Sequence, residues 1–228
     1  MFNKKDAVTK LKEGINALYI TECLSSEMNG ICEIIANNNI IGITIDQSRD
    51  ENIMIILNTL LKKNTKIQSI KFYRSGFTEE MIQKFSEILT QTTCISEITL
   101  NTPSFMDPNF GIEYLLSAMS KNTSIKSLTL KNIKLDDNAS KALYYSLRHN
   151  TTIRILKLEI NQLGSKNVDW IINLVKENPN LTNVTIPMND VCGDKLIELD
   201  SWFIDESKIE ERRMNSVMHR ARRVKAIR

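Results

Sequence analysis

The sequence has 228 residues, a net charge of +3 at neutral pH and 42% hydrophobic residues. This length and composition are typical of one or two globular domains and exclude an intrinsically disordered chain. The small net charge does not call for a nucleic-acid partner for the chain as a whole. The apolar runs are shorter than the ~20 residues that a membrane-spanning helix needs.

The beginning of the chain carries no apolar run of the kind that a secretory signal requires. Instead, we expect residues 3–14 to form a short amphipathic helix that caps the fold. The four cysteines are scattered without CxxC spacing, which favours reduced thiols in a cytosol-like compartment. We therefore expect a cytoplasmic protein, in which the Asn-x-Ser/Thr sites at Asn122, Asn150 and Asn180 are unmodified.

A nine-residue phrase recurs along the chain, most clearly as NTSIKSLTL (122–130) and NTTIRILKL (150–158). We take the first apolar residue of each copy as its anchor. Successive anchors are 27, 28, 30, 28 and 28 residues apart, at Ile40, Ile67, Ile95, Ile125, Ile153 and Leu181. A seventh copy, INALYI, is anchored at Ile15. A period held this closely predicts a repeat architecture.

Each repeat predicts a short strand followed by a helix. Apolar residues alternate after the anchor, as in a strand, and a helix-spaced apolar face follows, as in residues 136–150 and 165–178. Thr78 and either Asp136 or Asp137 are predicted helix N-caps. One unit cannot bury both its strand and its helix, so the units must stack into a parallel sheet with helices on one side.

The pattern resembles the leucine-rich repeat of the ribonuclease-inhibitor type, which reads LxxLxLxxNxL before a helix. The best matches are IRILKLEINQL (153–163), with Asn161 at the Asn position, and LTNVTIPMNDV (181–191), with Asn189. The resemblance implies a right-handed α/β solenoid of seven repeats, in which this Asn bonds neighbouring loop backbone. Pro103 and Ile133 hold the same position in two repeats and cannot make those bonds, so we expect an irregular ladder there.

A second resemblance is to the C-terminal domain of tropomodulin-like actin pointed-end caps. It rests on the stretch ALYYSLRHNTTIRILKL (142–158) and on the basic tail after residue 212. This resemblance implies repeats that are closed by a helix and a basic end, with actin as the partner.

We divide the chain into a leucine-rich repeat domain with its N-terminal cap, residues 1–191, and a C-terminal cap with a basic tail, residues 192–228. Residues 193–204 are predicted to form the cap helix, and 207–226 a basic helix that docks or projects. Two interpretations of the tail stay open: a solvated helix face, or an arm that binds an acidic protein, a membrane surface or nucleic acid. Its basic residues are Arg212, Arg213, Arg220, Arg222, Arg223, Lys225 and Arg228.

The sequence gives no pattern for catalysis, a metal site or a cofactor. A nucleophilic triad needs a positioned histidine, whereas His149 falls in a loop and His219 in the tail. No cluster has metal-ligand spacing, and the glycines form no phosphate-binding loop. We therefore expect a protein that is not an enzyme and has no cofactor. A surface pocket that held His149 and Cys94 together would favour the opposite conclusion.

Side chains between the buried strand positions must point away from the helices, onto the side of the sheet that we call the concave face. We predict that a monomeric interaction module binds a protein partner there. Alternatives are a plain solvated sheet, an actin-binding cap with the tail as second contact, or a bacterial effector in a host cytoplasm, since the Ile-, Asn- and Lys-rich composition suits AT-rich genomes. The predicted contacts are Thr44, Asp46, Lys71, Tyr73, Glu97, Thr99, Thr129, Lys131, Lys157, Glu159 and Thr185.

Overall fold

The structure, a computed structural model, describes residues 16–21, 25–37, 40–48, 50–62, 66–101, 111–133, 135–161, 163–187 and 193–215. Within these ranges strands and helices alternate along the chain. The strands are β1 (Ala17–Thr21), β2 (Gly42–Asp46), β3 (Ser69–Tyr73), β4 (Glu97–Asn101), β5 (Ser127–Lys131), β6 (Ile155–Lys157) and β7 (Asn183–Thr185). The helices are α1 (Met28–Asn37), α2 (Asp50–Lys62), α3 (Glu79–Gln91), α4 (Ile112–Lys121), α5 (Asp137–Leu147), α6 (Ser165–Glu177), α7 (Gly193–Ile204) and α8 (206–215).

The strands form one open parallel sheet, in which they follow one another in chain order from β1 to β7. Each strand pairs with the next in the same register, so equivalent positions of successive repeats lie side by side. This arrangement confirms the predicted leucine-rich-repeat-type α/β solenoid.

The core lies between the sheet and the layer of helices. In the repeat that contains β5, Ile125, Leu128 and Leu130 are at most 1% exposed, and they pack in one hydrophobic cluster with the apolar faces of the helices. Burying each such side chain contributes about 1.5–3 kcal/mol to the free energy of folding. The apolar positions of the repeated phrase therefore decide which side of each strand faces the helices.

Two predicted N-caps begin their helices as expected. The Thr78 hydroxyl accepts a hydrogen bond of 3.3 Å from the Met81 N–H at the start of α3. At the start of α5, the cap is Asp136 and not Asp137, since the Asp136 carboxylate accepts from the Ala139 N–H at 2.7 Å. Each bond satisfies a backbone donor that the first helical turn leaves without a partner.

The predicted role of Asn161 is confirmed. Its side-chain amide donates to the carbonyl oxygens of Leu130 and Leu158 at 2.8 and 3.0 Å, and its oxygen accepts from the Ile133 N–H at 2.9 Å. Asn161 therefore joins its own loop to the loop of the preceding repeat, at Leu130 and Ile133.

Some expectations fall outside the described residues. They concern the N-terminal helix over residues 3–14, the anchor Ile15, Pro103, Asn189 and the part of the basic helix beyond residue 215.

Candidate functional site

The concave face carries rows of side chains that run across the sheet. The register places the residue four positions after each anchor next to its counterpart in the following strand. The row formed in this way is Tyr19, Thr44, Lys71, Thr99, Thr129, Lys157 and Thr185. Most of these side chains are partly or fully exposed, so the row is a polar surface strip that crosses all seven strands.

Two ion pairs lie across neighbouring repeats on this face. The Lys71 ammonium is 3.0 Å from the Glu97 carboxylate, and the Lys131 ammonium is 3.0 Å from Glu159. Burial alone would raise the pKa of Glu97, but hydrogen bonds from Lys71 and Ser69 outweigh it and hold the pKa below its ordinary value. Four of the predicted contact residues are thus paired with one another.

A third charged cluster lies where β1, β2 and β3 end. The Asp46 carboxylate accepts hydrogen bonds from the Tyr19 hydroxyl and from the Arg74 guanidinium, whose Nε is 2.9 Å away. The hydrogen bonds from Arg74 lower the pKa of Asp46, although burial opposes them. The hydrogen bond to Asp46 raises the pKa of Tyr19. The cluster fixes three repeats to one another.

The predicted contact residues therefore differ in what they offer a partner. Asp46 and Thr99 are only 2% and 7% exposed, so these two cannot form a binding surface, and the prediction is wrong for them. The Asp46 carboxylate accepts hydrogen bonds from Tyr19 and Arg74 and does not face solvent. The other nine residues are at least partly exposed: Thr44, Lys71, Tyr73, Glu97, Thr129, Lys131, Lys157, Glu159 and Thr185.

The basic tail needs a correction at Arg212, which we expected on a solvated or partner-binding surface. Its side chain is buried, and its guanidinium donates to four backbone carbonyls, those of Val175, Asn178, Leu181 and Trp202. Burial lowers the pKa of Arg212 to about 10, so the group stays charged at neutral pH.

The tail beyond this residue is described only in part. Arg213 is exposed and lies 3.4 Å from Glu210. Arg220, Arg222, Arg223, Lys225 and Arg228 lie outside the described residues, so the two interpretations of the basic tail stay predictions for them.

Sequence reasoning missed a ladder of buried asparagines at the helix C-termini. Asn150 donates to the carbonyls of Met119 and Asn122, and its own oxygen accepts from the N–H groups of Thr152 and Ile153. Asn122 and Asn178 make most of the equivalent bonds, one repeat earlier and one repeat later. The signal was the Asn that stands three residues before five of the six anchors from Ile40 to Leu181.

The burial of Asn122 and Asn150 agrees with the expectation that these two acceptor sites are unmodified. A glycan attached to either side chain would have to displace the hydrogen bonds that join the repeats.

The described residues offer little that resembles reaction chemistry. A groove of about 410 Å³ between α3 and α4 is lined by hydroxyl, amide and carboxylate side chains with Tyr114, and contains neither His149 nor Cys94. Those two residues lie in loops that precede β6 and β4, two repeats apart. In the described ranges, no three His, Cys, Asp or Glu residues are grouped as a metal site would require, and no helix is long and apolar enough to cross a bilayer.

Comparison with known proteins finds similarity to a leiomodin in sequence and to a tropomodulin domain in fold. No protein-family model matches the chain. Over 124 residues, 54% of the chain, the sequence is 30% identical to human leiomodin-3. The match spans only 22% of that relative's length, so most of leiomodin-3 has no counterpart in the aligned region.

Two solved structures resemble the fold. The tropomodulin C-terminal domain of Caenorhabditis elegans aligns with 75% of this chain and 98% of its own, with a TM-score of 0.53 and 14% sequence identity. A structure titled leiomodin-1 actin-binding site 2 aligns with 65% of this chain and 83% of its own, with a TM-score of 0.47 and 19% identity. At 14% identity, the tropomodulin likeness establishes the fold and not the function.

Proposed function

We propose that this chain is a non-enzymatic, monomeric and cytoplasmic protein-binding module, and that its concave face contacts the partner. The observation that carries the proposal is the in-register polar strip across seven strands. A rigid sheet holds these side chains in fixed positions, which lowers the entropy cost of ordering them on a partner. The helix in each repeat supports the ribonuclease-inhibitor subtype as part of the same proposal.

Actin is the partner that we propose to test first. The sequence similarity to leiomodin-3 over 124 residues and the resemblance of residues 142–158 to tropomodulin-type caps both favour it. In this version of the proposal, the basic residues after 215 add a second contact, because a cluster of cations strengthens association with an acidic surface.

The experiment is a binding titration of the full chain with actin in both of its forms. Co-sedimentation measures binding to filaments, and fluorescence anisotropy of a labelled chain measures binding to monomers. Saturable binding to either form supports actin as the partner. If neither form binds, actin is excluded, and affinity capture from cell lysate with the same chain becomes the way to identify the partner.

A charge-reversed chain tests where the partner binds. In the Lys71→Glu/Lys157→Glu variant, both changes lie on the concave face, and unchanged circular dichroism would exclude misfolding. We expect this variant to lose the partner. Retention of the partner by the folded variant would exclude the concave face as the contact.

A further inference from the structure

In the repeat that contains β6, two isoleucines stand where the other described repeats have small or polar residues, and a lysine lies between them. Ile155 follows its anchor by two residues, Lys157 by four and Ile160 by seven. We call these three residues the β6 patch. The repeats on either side have Ser127 and Asn183 where the β6 patch has Ile155.

Ile160 is held in a backbone conformation that its side chain disfavours. Its φ is +54°, in the left-handed region where a β-branched residue is sterically crowded. In the three other repeats whose equivalent residue is described, that residue is also left-handed, but it is Gln47, Arg74 or Asn132, none of which is β-branched. The Ile160 side chain is 61% exposed, so packing in the core does not explain why isoleucine stands there.

Lys157 is the charged member of the β6 patch. The ammonium groups of Lys71 and Lys131 are each bonded to a carboxylate of the next repeat. Lys157 forms no ion pair with any carboxylate in the described part of the chain. The register places the uncharged Thr129 and Thr185 beside it, and its charge acts on Glu97, two strands away, without a direct ion pair.

We propose that the β6 patch binds an acidic, apolar segment of the protein partner, in which a carboxylate lies beside an aliphatic or aromatic side chain. The carboxylate pairs with Lys157, and apolar side chains of the segment pack on Ile155 or on Ile160, which lie on either side of Lys157 along the chain. Residues in disfavoured backbone conformations, such as Ile160, occur often at binding sites. This inference rests on the proposed function of the concave face and states which chemistry the face selects.

The test uses a random linear peptide library displayed on phage, with the full chain as bait. We expect the retained peptides to carry Asp or Glu within two positions of Leu, Ile or Phe. A synthetic copy of a retained peptide should bind the Lys157→Glu variant and the Ile160→Asn variant about tenfold more weakly than the wild type. Lys166→Glu, an exposed change on α6, is the matched control for charge and should bind as the wild type does.

Ile160→Asn also separates a binding role from a folding role. Asparagine tolerates the left-handed region, so this variant should unfold at the same or a higher urea concentration while its binding weakens. Gln47→Asn makes the equivalent change four repeats away and should leave peptide binding unchanged. A lower unfolding midpoint for Ile160→Asn would mean that the residue serves folding, which would overturn the inference.

Three further results would overturn it: no enriched peptide, enriched peptides without acidic residues, or binding that neither variant weakens. The actin titration separates these failures from a failure of the proposed function. If actin binds while no peptide is selected, the β6 patch is excluded and the binding module stands. If the predicted peptides bind and actin does not, the patch stands and actin is excluded.

Discussion

Arg212 takes the place of the next asparagine in the ladder beyond Asn178. The Asn178 amide donates to the carbonyls of Leu147 and Asn150 at 2.7 and 3.0 Å. The Arg212 guanidinium donates to Val175 and to Asn178, which are the same two positions one repeat later, at 2.8 and 3.0 Å. A residue from α8 thus completes the ladder after β7, the last strand in the described residues, and covers the end that this repeat would otherwise expose.

The first prediction concerns this closure. Arg212→Ala leaves buried carbonyls without donors, so we expect the free energy of unfolding to fall by about 2–4 kcal/mol. Urea denaturation followed by circular dichroism measures the change. Arg213→Ala alters the neighbouring exposed arginine and should change stability by less than about 0.5 kcal/mol. Equal effects of the two substitutions would contradict the closing role of Arg212.

The second prediction follows for truncated chains. A chain that ends at Asn215 keeps Arg212 and should retain the unfolding midpoint of the full chain. A chain that ends at Glu211 lacks it and should unfold at a lower urea concentration. Binding of the basic tail to a partner, lipid or nucleic acid should therefore be tested with the chain that ends at Asn215. Loss of binding by the chain that ends at Glu211 could result from its lower stability.

The third prediction concerns the ladder itself. Asn150→Ala removes the donor to two carbonyls and the acceptor of two N–H groups, and we expect a loss of about 2–3 kcal/mol in the free energy of unfolding. Thr182→Ala, at an exposed position in the loop before β7, removes one bond to the Arg154 carbonyl and is the control. If Asn150→Ala costs no more than Thr182→Ala, the ladder is not a main source of stability.

How far the sequence predicts the structure depends on the type of contact. Strand positions were predictable because buried apolar residues recur at intervals of 27 to 30 residues. Ile125, Leu128 and Leu130, for example, have buried counterparts 28 residues later at Ile153, Leu156 and Leu158. The Asn ladder was not predicted, although an Asn opens most copies of the phrase, because its partners are backbone carbonyls about 30 residues away and the sequence does not show which carbonyls they are.

The location of the candidate site was predictable from the sequence, but the exposure of its individual residues was not. The alternation of strand side chains identified the concave face. It did not distinguish buried Asp46 from exposed Thr185, because the burial of Asp46 comes from Tyr19 and Arg74 in neighbouring repeats. Arg212 looked like its basic neighbours for the same reason, since its acceptors lie on α6, on α7 and in the loop after α6.

The fourth prediction is a pH dependence. The folded pKa of Asp46 is lowered by Arg74, so the stability it contributes is present above the ordinary carboxyl pKa and is lost as the pH falls through the folded value. We expect the free energy of unfolding to decline below about pH 4, and Asp46→Asn to decline less steeply. Glu97, whose pKa is also lowered, should preserve part of the slope in both proteins.

The wild type and Asp46→Asn are compared by the slope of the free energy of unfolding against pH, not by its value. Asp46→Asn also removes a buried partner of Arg74, so it is expected to lower stability at neutral pH. Glu80→Gln, an exposed change at the start of α3, is the control and should keep the wild-type slope. Identical slopes for Asp46→Asn and the wild type would mean that another group carries the pH dependence.

Lysine labelling with the partner bound tests the concave face most directly. The wild-type chain is treated with an amine-reactive reagent alone and with saturating actin, or with the captured partner if actin does not bind, and modification is read by mass spectrometry. We predict that binding protects Lys71 and Lys157 on the sheet, while Lys84 and Lys166 on the helices react as in the free chain. Protection of the helix lysines, with Lys71 and Lys157 still reactive, would contradict the account and place the partner on the opposite side of the solenoid.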